Sequence, residues 1–129
     1  MTGVQTCALP ISVAQTVLAM VLTLSKRMVD VNHALRAGTM HDRNAFMGSD
    51  INGRTIGVVG LGNVGRRVAR LCKTLFDMNV LACDPNLDEK TMSERGATKV
   101  SLDDIETIAN VVTVESAPLA EILSSQGAA

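Results

Sequence analysis

Between residues 55 and 84 the chain changes period twice, and each change narrows the fold it can adopt. Thr55-Ile56-Gly57-Val58-Val59 is a short apolar run, which reads as a strand covered on both faces. Gly60-Leu61-Gly62-Asn63-Val64-Gly65 follows directly. From there Val64, Val68, Leu71, Cys72 and Leu75 recur at helical spacing, while Arg66, Arg67, Arg70 and Lys73 take the opposite face. The helix therefore begins inside the glycine run. Asn79-Val80-Leu81-Ala82-Cys83 is a second apolar run, closed by Asp84 and Pro85, and proline cannot continue a ladder. Strand, helix and strand in so short a stretch imply a parallel pair with a right-handed crossover.

The alternation continues downstream. A short helix is expected over residues 88–95 with Gly96 as its stop, then a brief strand over 97–100. Ser101 with Asp104 opens a helix carrying Leu102, Ile105 and Ile108, and a strand starts at Val111. The fold class is α/β: a partial, Rossmann-like parallel sheet of about four strands, one mononucleotide-binding half plus the first strand beyond the switch point.

Upstream, Ser12 with Gln15 forms a capping box. Val13, Val17, Val21, Leu24, Met28, Val31 and Leu35 then make one stripe, so a long amphipathic helix is expected to about Arg36, ended by Ala37-Gly38. The mostly apolar segment 8–24 is not read as a membrane signal, because no Lys or Arg precedes it and its stripe runs on past Lys26, Arg27 and Asp30. Residues 39–54, with Gly48 and Asn52-Gly53 and no sustained period, read as a loop.

Both ends look foreign to this pattern. Residues 1–11, Met-Thr-Gly-Val-Gln-Thr-Cys-Ala-Leu-Pro-Ile, match the translation of a sequencing-library adapter and are set aside as artefactual or disordered. Residues 116–129 read as an irregular tail rich in small and polar residues. The expected organisation is 1–11 foreign, 12–38 linking helix, 39–54 loop, 55–115 partial dinucleotide-binding domain and 116–129 tail, a piece of a longer chain.

Composition excludes several classes. With 129 residues, 47% hydrophobic, 19% charged and a formal net charge of -1, the chain suits one modest core and no nucleic-acid partner. Phe46 and Phe76 are its two aromatics, too few for a base-stacking platform. Cys7, Cys72 and Cys83 form no CxxC pair and have no His at metal spacing. No metal site is expected, and a reducing, cytoplasmic setting fits.

The glycine run has a mechanical rationale. The first glycine makes a tight turn, the second lets backbone approach a pyrophosphate, and the third lets helix pack closely on strand. Unpaired amides at the helix start, those of Asn63 and Val64 foremost, face negative charge. Asp84, nineteen positions after Gly65, stands at a strand end where it can accept both hydroxyls of an adenosine ribose and repel a 2′-phosphate, which favours NAD over NADP. The expected cofactor-binding set is Gly60, Gly62, Asn63, Val64, Gly65 and Asp84. A tight turn with a surface aspartate, or an adenosylmethionine site, would use similar residues.

Other residues carry less. His33 and His41 read as solvated side chains; Arg66 could reach a phosphate, but the Arg66, Arg67, Arg70 and Lys73 group reads first as a solvated helix face; Cys83 reads as core, and the methionines as gap fillers. Glu94 and Glu115 have no paired carboxylate suited to hydrolysis.

From residue 12 to 114 the chain resembles the nucleotide-binding domain of the D-isomer-specific 2-hydroxyacid dehydrogenases, the group of phosphoglycerate dehydrogenase and glyoxylate/hydroxypyruvate reductase. The resemblance rests on Ser12-Val13-Ala14-Gln15, Leu35-Arg36-Ala37-Gly38, the run from Gly53 to Gly65, Cys83-Asp84-Pro85 and Ser101-Leu102-Asp103-Asp104. It implies that the six residues above hold NAD, that the long helix serves a dimer interface, and that the parent chain moves a hydride between nicotinamide and a 2-oxo acid. The family's substrate Arg, supporting Glu and proton-donating His lie beyond the similar stretch, so no catalytic residue is assigned. After Val114 the family continues with His and then a small residue and Pro-Leu, where this chain has Glu115-Ser116-Ala117-Pro118-Leu119. The alternative readings are a non-enzymatic NAD-binding or interaction module and an adenosylmethionine-dependent enzyme.

Overall fold

The computed structural model describes the backbone of residues 2–114 and the side chains of residues 10–114. Four parallel strands, β1 (Thr55–Val59), β2 (Asn79–Cys83), β3 (Thr98–Lys99) and β4 (Val111–Val114), form one sheet in the order β3-β2-β1-β4. The pairing of β1 with β2 sets Thr55 opposite Asn79 and Val59 opposite Cys83, and that of β1 with β4 sets Ile56 opposite Val111. The expected Rossmann-like sheet is present, and strand order reverses between β1 and β4, where a ligand crevice opens in such folds.

Helix α3 (Asn63–Phe76) joins β1 to β2, α4 (Glu89–Glu94) joins β2 to β3, and α5 (Leu102–Ile108) joins β3 to β4. The side chains of Val58, Val80 and Ala82 pack with Val68, Ala69 and Cys72 of α3. On the other face Val59, Leu81 and Cys83 pack with Leu102 and Ile105 of α5. Both faces of β1 and β2 are thus covered, which is why those runs are continuously apolar rather than alternating. Asp88 caps α4 by accepting the Thr91 N–H at 2.7 Å, and Ser101 caps α5 by accepting that of Asp104 at 3.2 Å.

The upstream region departs from the expectation of one helix over 12–38. Helix α1 spans Thr2–Ser25, with Pro10 inside it, and α2 spans Met28–Ala37. Ser12 lies within α1, where its carbonyl accepts the Thr16 hydroxyl, so it caps nothing. Pro10 forgoes a single intrahelical bond, and residues 2–11, which the sequence reading set aside, are helical.

The break falls at Arg27, in the left-handed region at φ 53°. Its cause is the connecting segment. Ser49 N–H donates to the Ser25 carbonyl at 2.7 Å, taking the acceptor that a continuous helix would offer four residues on. Arg27 holds the bend through Nε to Asp30 at 3.0 Å, Nη1 to the Ala45 carbonyl at 2.8 Å, and stacking over Phe46. The segment 39–54 is accordingly an ordered strap with a 3-10 turn at Arg43–Phe46 and a buried Ile51. The apolar stripe is only partly used: Val17 and Val21 pack in the core beside Ala14, whereas Val13, Leu24, Met28 and Leu35 are exposed. Ala37-Gly38 does end α2, with Gly38 at φ 67°.

Candidate functional site

The site is built where β1 hands the chain to α3. Gly60 N–H donates to the Cys83 carbonyl at 2.8 Å, extending the β1–β2 ladder by one bond, and Gly60 then turns at φ 91°. That value lies in a region open to glycine and strained for other residues. One turn later Gly65 is buried against the same place: a Cβ on it would fall on the Gly60 carbonyl oxygen. Gly60 and Gly65 are therefore coupled by a backbone approach that leaves no room for a side chain.

Gly62 differs from both. It precedes α3 at φ -81°, and a Cβ there would meet nothing within 4 Å. No side chain caps the helix, and the first intrahelical donor, Arg66 N–H, reaches the Gly62 carbonyl at 3.0 Å. The amides of Asn63, Val64 and Gly65 precede that donor and are left by helix geometry without intrahelical partners. They stand at the positive end of the helix dipole, where a charge gains about 0.3–1 kcal/mol when exposed and up to about 2 when partly buried.

Asp84 closes the site from β2. Its Oδ2 accepts the Leu61 N–H and its Oδ1 the Asn86 N–H, each at 2.9 Å. A carboxylate oxygen has two acceptor positions, so each retains one for a ribose hydroxyl. The structure thus joins Gly60, Gly62, Gly65 and Asp84 around the buried Leu61, with Asn63 exposed and Val64 half-buried at the helix start.

Two contributors were invisible in the sequence. The Leu61 peptide is the link between turn and acid, and the Arg95 guanidinium donates to its carbonyl from 34 positions away. Arg95 sits at the end of α4, and no motif or spacing points from it to the turn. His33 and His41 are exposed. Cys83 is half-buried, and burial first, then the neighbouring Asp84 charge, pushes its thiol pKa up, which keeps it neutral rather than nucleophilic. Burial alone pushes Cys72 to about 11. Among the described residues no group of three metal-ligating side chains occurs, and no helix is long and apolar enough to cross a membrane.

A parallel sheet with a glycine turn, an uncapped helix start and a strand-end carboxylate at its switch point defines a dinucleotide-binding α/β domain. Residues 18–121 match the family model described as D-isomer specific 2-hydroxyacid dehydrogenase, NAD binding domain, and the chain belongs to that family. It is 36% identical over 104 residues to the D-3-phosphoglycerate dehydrogenase of Archaeoglobus fulgidus, covering 81% of this chain and 19% of that protein. Among solved structures it is similar to a phosphoglycerate oxidoreductase from Rhizobium etli, at 30% identity and TM-score 0.76 over 88% of this chain and 38% of that one. A D-lactate dehydrogenase from Aquifex aeolicus, complexed with NAD and lactic acid, gives 30% identity and TM-score 0.75 over 87% of this chain and 33% of that one. The chain spans between 18% and 33% of the length of the first curated relatives it matches. The family and the nicotinamide dinucleotide expected from the residues are those the comparisons return.

Proposed function

We propose that this chain is the NAD-holding part of an oxidoreductase acting on small 2-hydroxy or 2-oxo acids, with Gly60, Gly62, Asn63, Val64, Gly65 and Asp84 as its cofactor-binding residues. The observation that carries the assignment is the Asp84–Leu61 bond, which presents a carboxylate and an uncapped helix start as one rigid cradle. The open space above Gly62 suits the approach of a pyrophosphate. Asn63 and Val64 amides donate to that pyrophosphate, while Asp84 accepts the ribose hydroxyls and disfavours a 2′-phosphate. When bound, NAD supplies a nicotinamide carbon that accepts or gives up the hydride.

Residues 55–115 form the partial dinucleotide-binding domain in this reading, with 12–38 linking, 39–54 connecting, 1–11 foreign and 116–129 a tail. Residues 115–129 lie outside those described. A homodimer through the exposed apolar residues of α1 and α2, including Met20, Leu24, Met28, Val29 and Leu35, fits the parent protein. The free thiols Cys72 and Cys83 fit a reducing cytoplasm.

Titrating the chain with NADH, followed by nicotinamide fluorescence, tests the reading. Saturable binding that Asp84→Ala weakens and adenosylmethionine does not compete away is the expected result; competition by adenosylmethionine would overturn it. Turnover is a separate matter. No substrate Arg, Glu and His set is assigned in this chain, so NADH should not be oxidised with pyruvate, glyoxylate or hydroxypyruvate by these residues alone.

A further inference from the structure

Along the outer flank of α3 and the end of α4 runs a groove of about 470 Å³ lined by Arg66, Arg67, Arg70, Lys73, Glu94 and Arg95, the last of which also reaches the glycine turn at the Leu61 carbonyl. Five cations share it with one carboxylate, in a chain whose net charge is -1. None of the five is ion-paired, since the one ion pair among the described residues joins Arg27 to Asp30.

This concentration of charge works against the helix that carries it. Arg66 and Arg70 stand four apart and Arg70 and Lys73 three apart on exposed positions, where like charges destabilise a helix. Arg66 and Arg67 lie toward its N-terminal end, where the dipole favours anions, and α3 contains no acidic residue. A face serving solubility alone interleaves both signs. An anion in the groove would relieve all of these repulsions together.

The cradle does not account for the groove. At about 1.5 Å per residue, Lys73 stands about 10 Å along the axis from Arg66, beyond reach of a pyrophosphate on the Asn63 and Val64 amides. Across from α3, Arg95 is tethered to the Leu61 carbonyl, and Lys73 Nζ reaches the Gly96 carbonyl at 3.5 Å. These contacts tie the end of α4 to the glycine turn and, more loosely, to α3.

We infer that this groove is a second anion site, taking a small free molecule with two or more phosphate or carboxylate groups. Its volume is that of a small-molecule pocket. Nucleic acid is disfavoured, because no aromatic side chain lines the groove and the chain as a whole is not basic. The inference does not depend on the dinucleotide reading.

Calorimetric titration with inorganic tripolyphosphate, and separately with citrate, tests it, using the chain in excess NAD so that the cradle is filled. Saturable binding of either probe is expected, weakened at least tenfold by the pair Arg67→Gln and Arg70→Gln and again by Lys73→Glu alone. The probe that binds tells a phosphate-bearing ligand from a carboxylate-bearing one. NAD affinity should be unchanged in the Arg67 and Arg70 double variant, and its melting temperature without probe should equal or exceed that of the wild type, since like charges are removed from α3. Equal binding by wild type and variants, displacement of the probe by NAD, or tighter binding of a DNA or RNA oligonucleotide would each overturn the proposal. Should the chain prove unable to bind NAD, the comparison of wild type with variants still decides the groove, while the cofactor reading fails separately.

Discussion

Asp84 accepts the Leu61 N–H at 2.9 Å, so the carboxylate at the end of β2 and the turn at the end of β1 form one unit before any ligand arrives. A hydrogen bond to an ionised carboxylate is stronger than a neutral one. Here it also aligns the acid with the helix start. Binding then requires little rearrangement, which lowers the ordering cost that otherwise subtracts from affinity.

Gly65→Ala should damage both fold and binding. The added methyl would meet backbone, the Gly60 carbonyl, rather than a side chain able to rotate away. Overpacking of this kind costs about 1–3 kcal/mol. Urea denaturation should show that loss, and NAD titration a cradle whose turn has shifted; unchanged stability would mean α3 can move off β1 freely.

Gly62→Ala separates binding from folding. Its φ is negative and its Cβ position is open, but its ψ of -146° lies past the edge of the extended region, so the loss of stability should be no more than about 1 kcal/mol. NAD affinity should fall nonetheless, because the methyl occupies the space through which a pyrophosphate approaches the helix amides. A variant that melts normally and binds NAD normally would remove Gly62 from the site.

The sheet was legible in the sequence because its strands and helices carry local signals: apolar runs, helical spacing from Val64 to Leu75, and a cap at Ser101. Gly60, Gly65 and Asp84 were legible for a related reason, since φ sign, close packing and strand-end position each restrict residue type. The break at Arg27 was not. It arises from the Ser49–Ser25 bond, a contact between segments 24 positions apart, and the apolar stripe runs across it without interruption. Arg95 was hidden similarly, because its partner is the carbonyl of Leu61, and backbone acceptors leave no mark on residue identity.

Asp84→Asn should lower NAD affinity by roughly tenfold to a hundredfold, as expected when hydrogen bonds to a charged group, worth about 1.5–3 kcal/mol, are weakened. Asparagine retains one acceptor for the Leu61 N–H and turns its NH2 toward the Asn86 N–H, so the turn at Leu61 should persist while the Asn86 bond is lost. The discrimination against NADP should shrink, since the charge that repels a 2′-phosphate is gone. Parallel titrations with NAD and NADP measure the ratio; an unaltered ratio would locate cofactor selectivity elsewhere.

Asp88 gives the fold a pH dependence through its cap. Hydrogen bonds from the Thr91 side chain, then from its backbone N–H, hold the Asp88 carboxyl below its ordinary value of 3.8. A depressed carboxyl contributes stability that is present above the ordinary value and lost as pH falls through the folded one. Asp88→Asn preserves a good N-cap without the titrating charge. The wild type should therefore melt above the variant at pH 6, and the two should converge as pH drops below about 4. Thermal unfolding at intervals between pH 2 and pH 6 tests this, and a gap that stays constant throughout would show that the charge on Asp88 adds nothing to its cap.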